Sequence, residues 1–228
     1  AAVVPVPTAI QPMTPEQVAV NTVRAQYKGY KNEEKVNPKS TTPTYGALRL
    51  YINNWRWKGV PFYLRSGKNL AEKQTQIIIQ FKEPPTTMFP MQTMKPNILV
   101  LYLQPDEGVH LRFEAKAPDT VNETRSVDME FHYDDAFGKS AIPESYERLL
   151  LDALQGDASL FTRADEVETA WSLIDPILQT WETHQTPPLA VYKPGSWGPP
   201  EGYDLLAREV AAELAGELEE RTGVDRGD

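Results

Sequence analysis

The stretch 44–81, TYGALRLYINNWRWKGVPFYLRSGKNLAEKQTQIIIQF, leaves a folding chain the fewest options. Leu48, Leu50 and Ile52 alternate with Arg49 and Tyr51, the period-two pattern of a strand with one buried face, and Asn53 and Asn54 end it with turn-tolerant residues. Residues 55–58 form an aromatic and basic corner, punctuated by Gly59 and Pro61. A second apolar strand is expected over 62–65 and a third over 76–81, isoleucine-rich enough to predict burial on both faces. Between those two strands lie Ser66, Gly67, Lys68 and Asn69, with Lys73 five positions after Lys68. Glycine lets a backbone N–H approach an anion closely, and two lysines supply mobile point charges suited to a phosphoryl group. On spacing alone, a Gly-Lys pair after a strand is more often a turn with a solvated lysine.

The remaining chain reads as support for this stretch. Thr14, Pro15 and Gln17 form a helix start, with N-cap, first-position proline and capping-box partner, and the helix is expected to run through Val23. A polar loop follows over 28–42, and residues 83–96 read as irregular, with Phe89 and three methionines covering a sheet edge or, as the second choice, filling a subunit contact. Strands are expected at 97–104, 110–116 and 127–133, and their short, turn-rich connections imply antiparallel neighbours. Helical spacing of Tyr146, Leu149, Leu150, Ala153 and Leu154, stopped by Gly156, predicts a helix that begins at Pro143 and Glu144 and covers the sheet. A longer amphipathic helix over 163–183 is apolar at Val167, Ala170, Trp171, Leu173, Ile174 and Ile177; its aromatic stripe is expected in the core, and Pro176 should kink it. Residues 187–200 read as extended and 203–221 as an Ala/Glu/Leu helix. Together these predict an α+β fold, a large and mostly antiparallel β-sheet with helices packed on one face. Residues 1–13 would be an extended or disordered lead-in, 14–200 one domain, and 201–228 a C-terminal helix and charged tail.

Composition narrows the function classes. A formal charge of −9 with no dense basic run argues against nucleic acid. It also means that a phosphorylated ligand needs a local excess of positive charge, for which Arg65, Lys68 and Lys73 are the best cluster. The absence of cysteine excludes disulfides and thiolate metal sites, and no metal centre is predicted. No apolar run is long enough to cross a bilayer and the first residues lack a basic n-region, so a cytoplasmic protein without membrane partners is expected. His110, His132 and His184 are scattered and read as structural or surface residues, and Asp134 with Asp135 as a solvated turn.

The segment NNWRWKGVPFYLRSGKNL at 53–70 closely resembles the substrate-domain signature of glucose-6-phosphate dehydrogenases, in which a strand ending Tyr-Leu-Arg-Thr-Gly-Lys brings lysine to the sugar phosphate. The resemblance continues, in the family's order, through QVAVNTVRAQY at 17–27, YERLLLDAL at 146–154, residues 164–171 and GSWGP at 195–199. It implies phosphate contact by Lys68 and Lys73 and hydroxyl contact by Gln104, whose amide both donates and accepts hydrogen bonds. It further implies glucose 6-phosphate as ligand, a place in the pentose phosphate pathway, and a homodimer or homotetramer assembled through the β-sheet.

The family places an NADP-binding Rossmann domain first, followed by an Arg-Ile-Asp-His-Tyr-Leu-Gly-Lys segment and an Asp-oriented catalytic histidine. This sequence contains no GxGxxG and neither of those segments. Oxidising the sugar's C1 hydroxyl needs a general base and a hydride acceptor. The chain is therefore expected to be the C-terminal, substrate-binding part of such an enzyme, inactive alone, with no catalytic residue and no bound cofactor; NADP would serve the intact enzyme. Gln74, Ile78 and Tyr102 stand where the family's second, structural NADP site would want basic residues, so that site is expected to be absent despite Arg65, Arg112 and Trp197. The alternative is a stand-alone assembly or regulatory protein that binds a dehydrogenase subunit.

Overall fold

The computed structural model describes residues 10–82, 95–120, 123–138 and 145–207. They form an α+β fold with strands divided between two four-stranded, mostly antiparallel sheets. Two compact units result, residues 1–72 with 162–228, and residues 73–161.

The first unit begins with α1 (Pro15–Asn21). Its capping box is complete: the Thr14 hydroxyl accepts from the Gln17 N–H and the Gln17 side chain accepts from the Thr14 N–H at 2.9 Å. The helix stops at Asn21, short of the expected Val23, because Thr22 already turns into strand β1 (Thr22–Tyr27). This strand, which the sequence pattern did not announce, is buried along its whole length. It lies between β2 (Tyr45–Tyr51), antiparallel, and β8 (Leu189–Tyr192), parallel, with β3 (Pro61–Gly67) beyond β2. Val23, Ala25 and Tyr27 face a core with Tyr45, Ala47, Tyr192 and Leu205.

The opposite face of β1 carries Thr22, Arg24 and Gln26, and α1 and α4 (Ala164–Thr183) bring Val18, Ile177 and Trp181 together beside Leu48. Trp181 donates from its indole N–H to the Thr22 hydroxyl at 2.9 Å, and its ring lies over Gly46. Arg24 is buried yet donates to the Pro187 carbonyl at 2.7 Å, the Trp181 carbonyl at 2.6 Å and the Gln185 side chain at 3.2 Å. It thereby satisfies the Trp181 carbonyl in the last turn of α4, where a cation also suits the helix dipole, and ties it to the Pro187 carbonyl beyond the helix. Burial pushes its guanidinium below the ordinary value. Gln26 ties down the 28–42 loop through the Ser40 and Thr42 carbonyls.

The helix α4 runs continuously through Pro176. Its core contribution comes from Ile177 and Trp181, whereas Val167 and Trp171, expected inside, are exposed. Residues 200–207 are helical, and the rest of the helix expected to 221 lies outside the described residues.

The second unit holds β4 (Thr75–Gln80), β5 (Ile98–Gln104), β6 (Gly108–Lys116) and β7 (Thr124–His132) in sequential antiparallel order. Paired residues share a face, so the register writes out both surfaces. One carries the apolar rungs Ile79–Leu99–Leu111–Met129 and Ile77–Leu101–Val109–Phe131; the other carries Ile78–Val100–His110–Glu130 and Gln76–Tyr102–Gly108–His132. The expected burial of β4 on both faces is not found: Ile77, Ile78 and Ile79, on alternate faces of this edge strand, are all exposed. Asp134 and Asp135, read as a turn, lie in the first turn of α2 (Tyr133–Phe137), where their charge suits the helix N-terminus.

α3 (Ser145–Gln155) ends at Gly156, which adopts φ +70° as a helix-stopping glycine does. Instead of covering the sheet with its apolar stripe, α3 leaves Tyr146, Leu150 and Leu154 more than half exposed. Its predicted start at Pro143 and Glu144, and the edge-covering role of Phe89, fall outside the described residues.

Candidate functional site

Lys68 follows the last residue of β3 and is exposed, while its backbone is fixed on both sides. Its N–H donates to the Thr44 carbonyl at 2.8 Å, and its own carbonyl accepts from the Tyr192 hydroxyl at 2.6 Å. That hydroxyl also lies 3.2 Å from the Thr44 side chain, which in turn accepts from the Tyr27 N–H at 3.0 Å. The next residues are laced to the GSWGP segment: Gly195 donates to the Asn69 carbonyl, Ala71 to the Ser196 carbonyl, and Leu70 bridges Ser196. Asn69 takes the left-handed turn at φ +50°, which asparagine tolerates. A flexible ammonium is thus carried on a rigid loop, which reduces the entropy lost when it meets an anion.

Gly67 owes its lack of a side chain to Tyr45. A Cβ there would come within 2.9 Å of the Tyr45 ring and 3.2 Å of Leu70. Gly198 and Gly202 meet the same ring from other sides, a Cβ at Gly198 falling 2.5 Å from Tyr45 Cε2. Three glycines therefore enclose one buried tyrosine, and through it the end of β3 is locked to the segment after β8. Burial raises the Tyr45 hydroxyl above its ordinary value, opposed by the charge and hydrogen bond of Arg65. The Arg65 guanidinium also stacks over Trp197 at 5.7 Å, so this cation is held by two aromatic residues.

Lys73 opens the second unit, two residues before Thr75, which pairs with Gln104 across β4 and β5. Lys73 and Gln104 are therefore at one end of the second sheet, both exposed. Tyr102, two residues before Gln104 and on the same face, stacks on His132 at 5.7 Å with 17° between the rings. On the next rungs of this face His110 and Arg112 both meet Asp128, at 2.7 and 2.8 Å, and these hydrogen bonds, His110 first, hold the Asp128 carboxyl below the usual range. Among the described residues no cluster of His, Cys, Asp or Glu is arranged to hold a metal ion.

Lys68 is therefore carried by the first unit, on a fixed loop, and Lys73 and Gln104 by the second, at one end of its sheet. Sequence reasoning picked out Lys68, Lys73 and Gln104 but not Thr44, Tyr45, Tyr192 or His132. The signal for the tyrosine nest was the pair Gly198 and Gly202, which follows an unusual density of prolines and aromatics.

The family model for the glucose-6-phosphate dehydrogenase C-terminal domain matches residues 2–212. The chain belongs to this family. It is 42% identical over 212 residues to glucose-6-phosphate 1-dehydrogenase of Treponema pallidum (strain Nichols), an alignment covering 86% of this chain and 41% of the relative. The glucose-6-phosphate 1-dehydrogenase of Aggregatibacter actinomycetemcomitans is 44% identical over 209 residues, covering 87% and 42%. A solved glucose-6-phosphate dehydrogenase in complex with its substrate glucose-6-phosphate superposes with a TM-score of 0.79 at 33% identity, covering 88% of this chain and 42% of that one. The crystal structure of the Mycobacterium avium glucose-6-phosphate 1-dehydrogenase gives 0.68 at 35%, covering 86% and 40%. The chain thus spans about two-fifths of the length of the dehydrogenases that it matches.

Proposed function

We propose that this domain is the substrate-binding and oligomerising part of a cytoplasmic, NADP-dependent glucose-6-phosphate dehydrogenase, which oxidises glucose 6-phosphate to 6-phosphogluconolactone in the pentose phosphate pathway. The observation that carries the reading is the likeness to a solved dehydrogenase whose structure holds glucose 6-phosphate, over 88% of this chain. Lys68 and Lys73 contact the phosphate, and Gln104 contacts a sugar hydroxyl. The general base and the nicotinamide cofactor belong to the part of the relatives that this chain does not match, so the domain alone has no dehydrogenase activity. No helix among the described residues is long and apolar enough to cross a membrane.

The test is substrate affinity in an intact dehydrogenase containing this domain. A charge-assisted hydrogen bond is worth about 1.5–3 kcal/mol, so Lys68→Met and Lys73→Met should each weaken glucose 6-phosphate binding roughly 10- to 100-fold. Gln104→Ala should weaken the sugar phosphate but leave inorganic phosphate bound as before. Unchanged affinity in both lysine variants would overturn the assignment.

The oligomer interface is the apolar face of the second sheet, and its occupant is a second copy. The rungs through Met129 and Phe131 form a contiguous, uncharged surface with Met129 60% exposed, the kind of patch that marks an interface. Met129→Lys should shift the domain to monomer in sedimentation at micromolar concentration. An unchanged assembly would exclude this face.

A further inference from the structure

His132, read from sequence as structural, sits in an arrangement with more than packing in it. Its Nε2 lies 3.0 Å from Glu130 Oε1 on its own strand, and its Nδ1 lies 3.2 Å from Asp106 Oδ2 in the turn between β5 and β6. The ring is stacked on Tyr102 from β5 and only about a fifth exposed. Gly108 makes room for it, since a Cβ there would stand 3.0 Å from His132 Nδ1 and 2.5 Å from the Phe131 carbonyl. The same turn is clipped by the Tyr133 N–H, which donates to the Glu107 carbonyl at 3.0 Å. Asp106 is two residues from Gln104, and Tyr102 two residues before it.

A neutral imidazole has one N–H and one lone pair, so it serves only one of two flanking carboxylates and turns a lone pair toward the other. The imidazolium has an N–H for each, and its charge attracts both. Nδ1 is buried and makes no hydrogen bond that satisfies it, so the Asp106 contact is an ion-pair contact that depends on the ring's charge.

We propose that His132 is a positioning residue for the Gln104 end of β5. Its charged ring clamps the 105–107 turn between Asp106 and Glu130 and sets the sugar-contacting amide in place only while protonated. The consequence for ligand rests on reading Gln104 as a sugar contact; the clamp does not.

The surrounding charges favour the protonated ring. Glu130 and Asp106 raise its affinity for a proton above the ordinary value of 6.5, the Glu130 hydrogen bond most, against burial. Glu107 in the turn and Asp134 and Asp135 in α2 add negative charge nearby in sequence, and His110, opposite Glu130, engages Asp128 together with Arg112. A group whose folded-state pKa is raised contributes stability below its unfolded value and loses it as pH rises through the folded value. The clamp is therefore closed at pH 6 and opens above the raised His132 value.

The test is a pH series on the full chain by nuclear magnetic resonance. The His132 Hε1 signal and the side-chain and backbone amide signals of Gln104 and Asp106 are expected to move with one shared midpoint above 6.5, and His132→Asn to abolish the movement at Gln104. Asp106→Asn, which keeps the ring and its stack, should lower that midpoint and shrink the Gln104 response. Gln104 signals that stay still while His132 titrates would overturn the clamp. In the ligand arm, glucose 6-phosphate affinity between pH 6 and 9 is compared in wild type and His132→Asn, so that the ligand's own phosphate ionisation cancels. Wild type should lose about fivefold more than the variant. Equal losses with the spectroscopic coupling intact would leave the clamp standing and remove Gln104 as a sugar contact.

Discussion

Replacing Arg24 with methionine should destabilise the first unit by about 3–5 kcal/mol, read as a lower urea midpoint. The size follows from what is left behind. Methionine fills much of the volume, but the carbonyls of Trp181 and Pro187, which now receive bonds of 2.6 and 2.7 Å, lose their donor, the first buried and the second partly buried. Each such group costs about 1–3 kcal/mol. Arg24→Lys should fall between, since one ammonium reaches fewer acceptors than a guanidinium fork. A methionine variant as stable as the parent would show that water reaches these carbonyls and that Arg24 is not what closes the end of α4.

The second large effect is expected at Gly198→Ala. The backbone there has φ +110°, where a side chain costs about 1–3 kcal/mol, and the new methyl would meet Tyr45 Cε2 at 2.5 Å, an overpacking worth about 1–3 kcal/mol more. Stability should therefore drop by about 2–6 kcal/mol. The same push moves Tyr45 against Gly67, so glucose 6-phosphate affinity should fall although residue 198 touches no ligand in the proposed mode. Adding Tyr45→Ala removes the clashing ring but opens a cavity, so the double variant should lose clearly less than the sum of the singles. Strict additivity in chemical denaturation would mean that the two residues do not share a packing constraint.

What could be read in the sequence was whatever is local. The capping box at Thr14, the alternation of Leu48 and Leu50, and the three strands after residue 97 announce themselves within a few residues, and each is where it was expected, to within a few positions. β1 was illegible because Thr22, Arg24 and Gln26 look solvent-facing, and only partners about 160 residues away make their burial tolerable. β8 is four residues long and exists through a parallel partner equally remote. The isoleucines of β4 misled for the converse reason: β-branched residues record strand preference, whereas burial depends on whether anything packs over the faces of the sheet. At the site, lysines and an amide stood out by chemical type, while the groups that fix them, Thr44, Tyr192 and the tyrosine nest, are recognisable only from contacts.

The parallel pairing of β1 with β8 also sets an order of events during synthesis. Residues 73–161 have every partner of their sheet close by in sequence and can close it as soon as they leave the ribosome. The loop carrying Lys68, made earlier, must wait for the hydroxyl of Tyr192, translated 124 residues later, before its backbone is fixed. A nascent chain stopped just before residue 189 should thus hold a finished second sheet and an unfinished anion loop, so competence to bind phosphate would arrive late and abruptly.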